Sequence, residues 1–171
     1  MNQWFLDQAR LGNMFHACSA GAVTLSTVST TCTGLALSNT PGSGKLLVVQ
    51  KISFAPSTAP AGAAVVGLAI HTALSQTGTT HTTPMVVHNA LASGSDTSSA
   101  GKADAAATLA STPLWLRPLA AVVAASSITP AKYSEEIDGS IIIRPGGCLS
   151  LSYLTTAAIG IASVTWAEID E

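Results

Sequence analysis

The sequence predicts an all-β protein: an antiparallel β-sandwich of the jelly-roll type, preceded by an N-terminal arm or short helix. Three observations carry this expectation. Short runs in which apolar and polar residues alternate recur along the chain, most clearly where Leu149, Leu151 and Tyr153 are interleaved with Ser150 and Ser152. Clusters of Gly, Pro, Asn and Ser separate those runs at fairly regular spacing. Beyond the N-terminus, no apolar pattern of helical period is long enough to specify a helix. Regularly spaced short strands without alternating helices favour a sandwich over a parallel sheet. Two four-stranded sheets in a jelly roll are expected.

Residues 1–15 form the arm and 16–171 the sandwich domain. The arm holds two of the three Phe and one of the three Trp in the chain. Trp4, Gln8, Leu11 and Phe15 fall at helical spacing, so a short amphipathic helix is one reading and an extended strap the other. Gly21 to Leu25 and Thr33 to Leu37 read as short strands. Asn39 to Gly44 is a turn cluster. Lys45 to Ala55 follows as a half-buried strand, with Leu46, Val48, Ile52 and Phe54 on one face and Lys51 and Ser53 on the other. Ala63 to Leu74 is a second long strand, directing Val66, Leu68, Ile70 and Leu74 to one side. Ser75 to Thr83 is a polar loop, Met85 to Leu91 a short strand, and Ser93 to Asp104 the stretch expected to be most mobile. Leu114 to Ala125 combines a loop at Arg117 and Pro118 with a strand from Leu119. Gly139 to Arg144 leads through the turn Pro145 to Gly147 into the Leu149 strand. Finally, Ala162, Val164 and Trp166 alternate with Ser163 and Thr165. This makes eight or nine strands.

Only 16 of the 171 residues are charged, 9%, whereas Ala, Ser, Thr and Gly supply 83. A free monomer is ordinarily coated with Lys, Glu, Arg and Asp. A surface of methyls and hydroxyls suits contact with neighbouring subunits. With net charge −2 and seven scattered basic residues, no footprint for nucleic acid exists. The longest apolar run, Leu114 to Ala125, is interrupted by Arg117 and Pro118 and is too short to span a bilayer. The first ten residues lack the pattern of a secretory signal, so a soluble chain made and kept in the cytoplasm is expected.

Three stretches resemble the jelly-roll structural proteins of tailed-bacteriophage virions. They are Thr33-Gly-Leu-Ala-Leu-Ser-Asn-Thr-Pro-Gly-Ser-Gly-Lys-Leu-Leu-Val-Val49, Asp138-Gly-Ser-Ile-Ile-Ile-Arg-Pro-Gly-Gly147 and Ser163-Val-Thr-Trp-Ala-Glu-Ile169, together about a fifth of the chain. The resemblance implies a capsid decoration or cement protein, a head fibre or another virion appendage, typically a homotrimer. Its expected partners are further copies of itself and the major capsid protein or other virion proteins. Its expected location is the capsid surface, after assembly in the host cytoplasm.

No enzymatic site is expected, and no catalytic, cofactor-binding or metal-binding residues are assigned. Gly42 to Lys45 lacks the first Gly and the final Ser or Thr of a phosphate loop, and Lys45 opens a strand, so the segment reads as a hairpin turn. His16, His71, His81 and His88 have no acidic residues close by in sequence to complete a metal site. Cys18, Cys32 and Cys148 are odd in number, lack a CxxC spacing and read as small buried hydrophobes, with a Cys18–Cys32 bridge open only in an oxidising compartment. Glu135, Glu136 and Asp138 read as a solvated loop, and Glu168, Asp170 and Glu171 as a solvated tail. Trp166 belongs to the core by its alternation. Trp4, Phe5, Leu6, Leu11, Phe15 and Trp115 are the candidate interface residues, because large aromatics lead interface hot spots. The alternative reading, a carbohydrate- or receptor-binding module of a tail fibre or baseplate, would use the loops Ser75 to Thr83 and Ala92 to Asp104. The low aromatic content, 5%, weighs against it.

Overall fold

The structure, a computed structural model, describes residues 2–71, 78–91, 98–123 and 132–171. In chain order the elements are α1 (Gln3–Arg10), β1 (Met14–Cys18), β2 (Val23–Thr24), β3 (Thr31–Asn39), β4 (Lys45–Pro56), β5 (Ala64–Ile70) and β6 (Thr80–Pro84). Then follow β7 (Val87–Asn89), β8 (Gly101–Thr108), β9 (Leu114–Val122), β10 (Tyr133–Glu136), β11 (Ile142–Ile143), β12 (Cys148–Thr155) and β13 (Ile159–Asp170). One sheet has the order β10-β4-β13-β1-β7, with β11 on β4 and β2 on β13. The other has the order β6-β8-β3-β12-β5-β9. We call them sheets A and B.

All-β architecture and sandwich packing agree with the sequence. Eight of the strands pair in a nested antiparallel pattern: β1 with β13, β3 with β12, β4 with β10, and β5 with β9. First pairs with last, second with second-last, and so inward. A chain folded double and then rolled produces this pattern, which is the jelly roll. Strands β6, β7 and β8 lie between the two innermost strands in sequence and widen both sheets: β8 pairs with β3, β6 with β8, and β7 with β1. The described residues therefore carry more strands than the two four-stranded sheets expected. Two of the additions replace expected loops. Thr80–Pro84 is a strand within the predicted polar loop, and β8 begins inside the predicted mobile stretch. The expected inward position of Leu74 lies outside the described residues.

Strand β4 corrects the predicted facing of its side chains. Lys51 lies opposite Thr165 and Val49 opposite Trp166, so Gln50 is an extra residue with no counterpart on β13. A bulge of this kind shifts the side-chain alternation by one place. Leu47 and Val49 therefore join Ile52 and Phe54 in the central core, whereas Val48 points to the outer face of sheet A. The freed Gln50 carbonyl accepts from the Ile137 and Asp138 amides at 2.6 and 3.0 Å.

The turn after Asn39 is also not a hairpin within one sheet. It carries the chain from β3 in sheet B to β4 in sheet A. The Asn39 amide anchors it, donating to the carbonyls of Lys45 and Ile143 at 2.7 and 2.9 Å.

Pro118 lies inside β9 rather than in a loop. Strand β9 is an edge, where a residue with no amide to donate is tolerated. Facing it is Gly67, where a Cβ would approach the Arg117 carbonyl oxygen to 2.4 Å and the Trp115 ring to 2.7 Å. Glycine thus lets the Trp115 indole lie against β5. The Arg117 guanidinium reaches Glu135 on β10 at 2.6 Å, linking the edges of the two sheets.

Candidate functional site

The most distinctive features of this molecule, among the described residues, are not clustered in one pocket. The features that set it apart are its faces and ends, and the candidate interface residues divide between them.

Helix α1 opens at Asn2, whose side-chain oxygen accepts from the Trp4 amide at 3.1 Å, a standard cap. It lies on the outer face of sheet A. Phe5 inserts among Met14, Val48 and Ala167 and is only 1% exposed. Phe15 is buried as well, stacked on Trp166 with ring centroids 5.9 Å apart. These two residues are occupied within their own chain and are not displayed to a partner. The remaining three face outward: Trp4 packs edge-on against Phe5, Leu6 is exposed, and Leu11 is 70% exposed. Leu91 is exposed close by; a Cβ on Gly12 would touch it at 3.6 Å.

Trp115 is half-buried at the β9 edge, between exposed Leu114 and Leu116. A groove of about 410 Å³ that includes the neighbouring Leu116 is lined by Ile70, Ile141, Ile142 and Ile143 together with His71 and Arg144. Ile142 is exposed there. Among the described residues, exposed large apolar side chains thus gather around α1 and beside the β9 edge, with Val86, Val123, Leu154 and Ile161 exposed elsewhere.

Among the titratable groups, Glu168 departs most from its expected place. Instead of lying in a solvated tail it is 7% exposed, at the end of the sandwich. Its Oε1 accepts from Ser99 Oγ at 2.6 Å, the Gly101 amide at 2.8 Å and Trp166 Nε1 at 3.0 Å. Its Oε2 accepts from the Ala100 amide at 3.0 Å. One carboxylate thus holds the start of β8 in sheet B onto β13 in sheet A. The signal was present in the sequence: Glu168 continues the inward phase of Ala162, Val164 and Trp166.

Asp104 is fully buried on β8, where Oδ2 meets Nδ1 of His81 at 2.6 Å. Burial raises its pKa above the usual carboxylate range, and the His81 contact works against that rise. Nothing among the described residues partners Oδ1. His71 is buried, with Nε2 2.8 Å from the Ser111 hydroxyl. His16 and His88 face each other across β1 and β7. Burial and, secondarily, His88 hold the His16 pKa below the imidazole norm.

Glu135 and Glu136 form an edge strand, not a solvated loop, and pair with Arg117 and Lys51. Asp170 and Glu171 pair with Lys45 and Arg144 at the surface. Such exposed pairs add little stability. Cys32 and Cys148 are buried free thiols; burial pushes the Cys32 pKa to about 11. Cys18 is free and exposed, contrary to its reading as a buried hydrophobe. Among the described residues, no group of three or more His, Cys, Asp or Glu side chains is placed to hold a metal ion. None of their helices is long and apolar enough to cross a membrane. Of the loops the carbohydrate-binding reading would use, residues 75–77 and 92–97 lie outside the described residues, and Thr80–Thr83 and Gly101–Asp104 are strand.

No protein-family model matches the chain, and no curated protein or solved structure shows significant similarity to it.

Proposed function

We propose that the chain is a non-enzymatic structural subunit of a tailed-phage virion, of the capsid decoration or cement type. One observation carries the reading. A sandwich with very few charges leaves large apolar side chains exposed, Trp4, Leu6, Leu11 and Leu91 around α1, and Leu114 and Leu116 on β9 with Ile142 of β11 beside them. Exposed large apolar side chains gathered on a folded surface mark places where another protein sits. The proposed action is mechanical. The sandwich is the block, these exposed side chains are the contacts, and repeated copies on a lattice convert modest contacts into stable attachment. Self-association, with a homotrimer as the proposed state, and docking on the major capsid protein or another virion protein follow from this reading.

The test is density-gradient sedimentation of virions from a lysate in which the chain is expressed, followed by quantitative mass spectrometry. The chain is expected to band with intact particles in a fixed ratio to the major capsid protein. Recovery only at the top of the gradient, with unassembled protein, would overturn the proposal.

A further inference from the structure

We infer that His16 and His88 form a bidentate binding site for a divalent transition-metal ion of the nickel or zinc type on the outer face of sheet A. The two residues are direct partners in the antiparallel register of β1 and β7. Side chains so placed leave the same face of a sheet with Cβ atoms roughly 5 Å apart. That separation lets two imidazole nitrogens converge on one ion at bond lengths of about 2.0–2.1 Å.

The surroundings favour the same use. His16 Nδ1 lies 3.1 Å from the hydroxyl oxygen of Thr165, its register partner on β13. Ion binding selects the tautomer in which Nδ1–H donates to Thr165, putting the lone pair on Nε2. Ligating histidines are commonly fixed in this way, by a partner on the second ring nitrogen. Each ring needs only one nitrogen for the ion. His16 is exposed, so its ring is open to an ion from solution. A cavity of about 380 Å³, lined by Cys18, Thr83, Met85 and His88 among others, opens beside His88. The same row of sheet A continues through Thr165 to Lys51 and Glu136, whose mutual ion pair keeps the ammonium occupied away from the histidines. His71 is buried against Ser111, and His81 contacts Asp104.

Calorimetric titration of the full, tag-free chain with nickel chloride and with zinc chloride tests the inference. One ion per chain is expected, with affinity falling at least tenfold in His16→Ala and in His88→Gln and remaining unchanged in His81→Ala. Both altered side chains are exposed, and circular dichroism of each variant establishes that it is folded. Absence of saturable binding to the parent chain, or binding as tight as the parent's in either the His16 or the His88 variant, would overturn the inference.

Discussion

Replacing Glu168 with alanine is expected to lower the free energy of unfolding by about 4 kcal/mol, as for the loss of one partner in a buried charged cluster. Four donors converge on this carboxylate: Ser99 Oγ, the Ala100 and Gly101 amides and the Trp166 indole. Each buried donor left without an acceptor costs about 1–3 kcal/mol, and the costs do not add fully because the loop can relax toward water. The site cannot relax freely. A Cβ at Gly101 would lie 2.7 Å from Trp166 Nε1, so the loop backbone is packed directly against the indole. Glu168→Gln retains one acceptor oxygen but turns an NH₂ group toward the donors, and about 2 kcal/mol is the expected loss. Urea denaturation of the three proteins at a common pH measures the series. A cost below about 1 kcal/mol for the alanine variant would show that the cluster does not bind the two sheets together.

Phe5→Ala is expected to cost about 3 kcal/mol, the lower end for truncating a buried aromatic ring. The ring fills the space between α1 and the outer face of sheet A, against Met14, Val48 and Ala167. The backbone strengthens the attachment: the Glu168 amide donates to the Asn13 carbonyl at 2.8 Å. The N-terminal segment is accordingly part of the fold, not a strap free to reach a neighbour. What it offers a partner is its outward side, Trp4, Leu6 and Leu11. Denaturant unfolding of Phe5→Ala beside Leu11→Ala separates the two roles. The first variant loses stability and the second, 70% exposed, keeps it within about 0.5 kcal/mol. Equal stability of both variants would mean that Phe5 is not part of the folded body.

These two residues also show where the sequence could and could not be read. Strands β12 and β13 were legible because large apolar residues alternate with Ser and Thr, giving an unambiguous period. Strand β8 was not, since Gly101-Lys-Ala-Asp-Ala-Ala-Ala-Thr108 places Ala on both faces and its pattern has no contrast. The facing of Leu46 and Val48 failed for a different reason. A bulge depends on the partner strand, and nothing local to β4 announces that Gln50 has no counterpart. Phe5 and Trp4 are neighbours of similar character, and only the docked helix decides which is buried. Glu168 is readable by phase, but acidic residues near a terminus are usually solvated, and that expectation competes with the phase. His16 and His88 lie 72 positions apart in the chain, and no spacing rule anticipates that β7 would place them opposite one another.

The proposed role requires this sparsely charged sandwich to be neighboured by further copies of itself, a claim open to direct test. Sedimentation-velocity ultracentrifugation of the purified chain over a wide concentration range tests that claim most directly. A discrete oligomer, a trimer at the higher concentrations, is the predicted result. A single species with the mass of one chain at every concentration would contradict it.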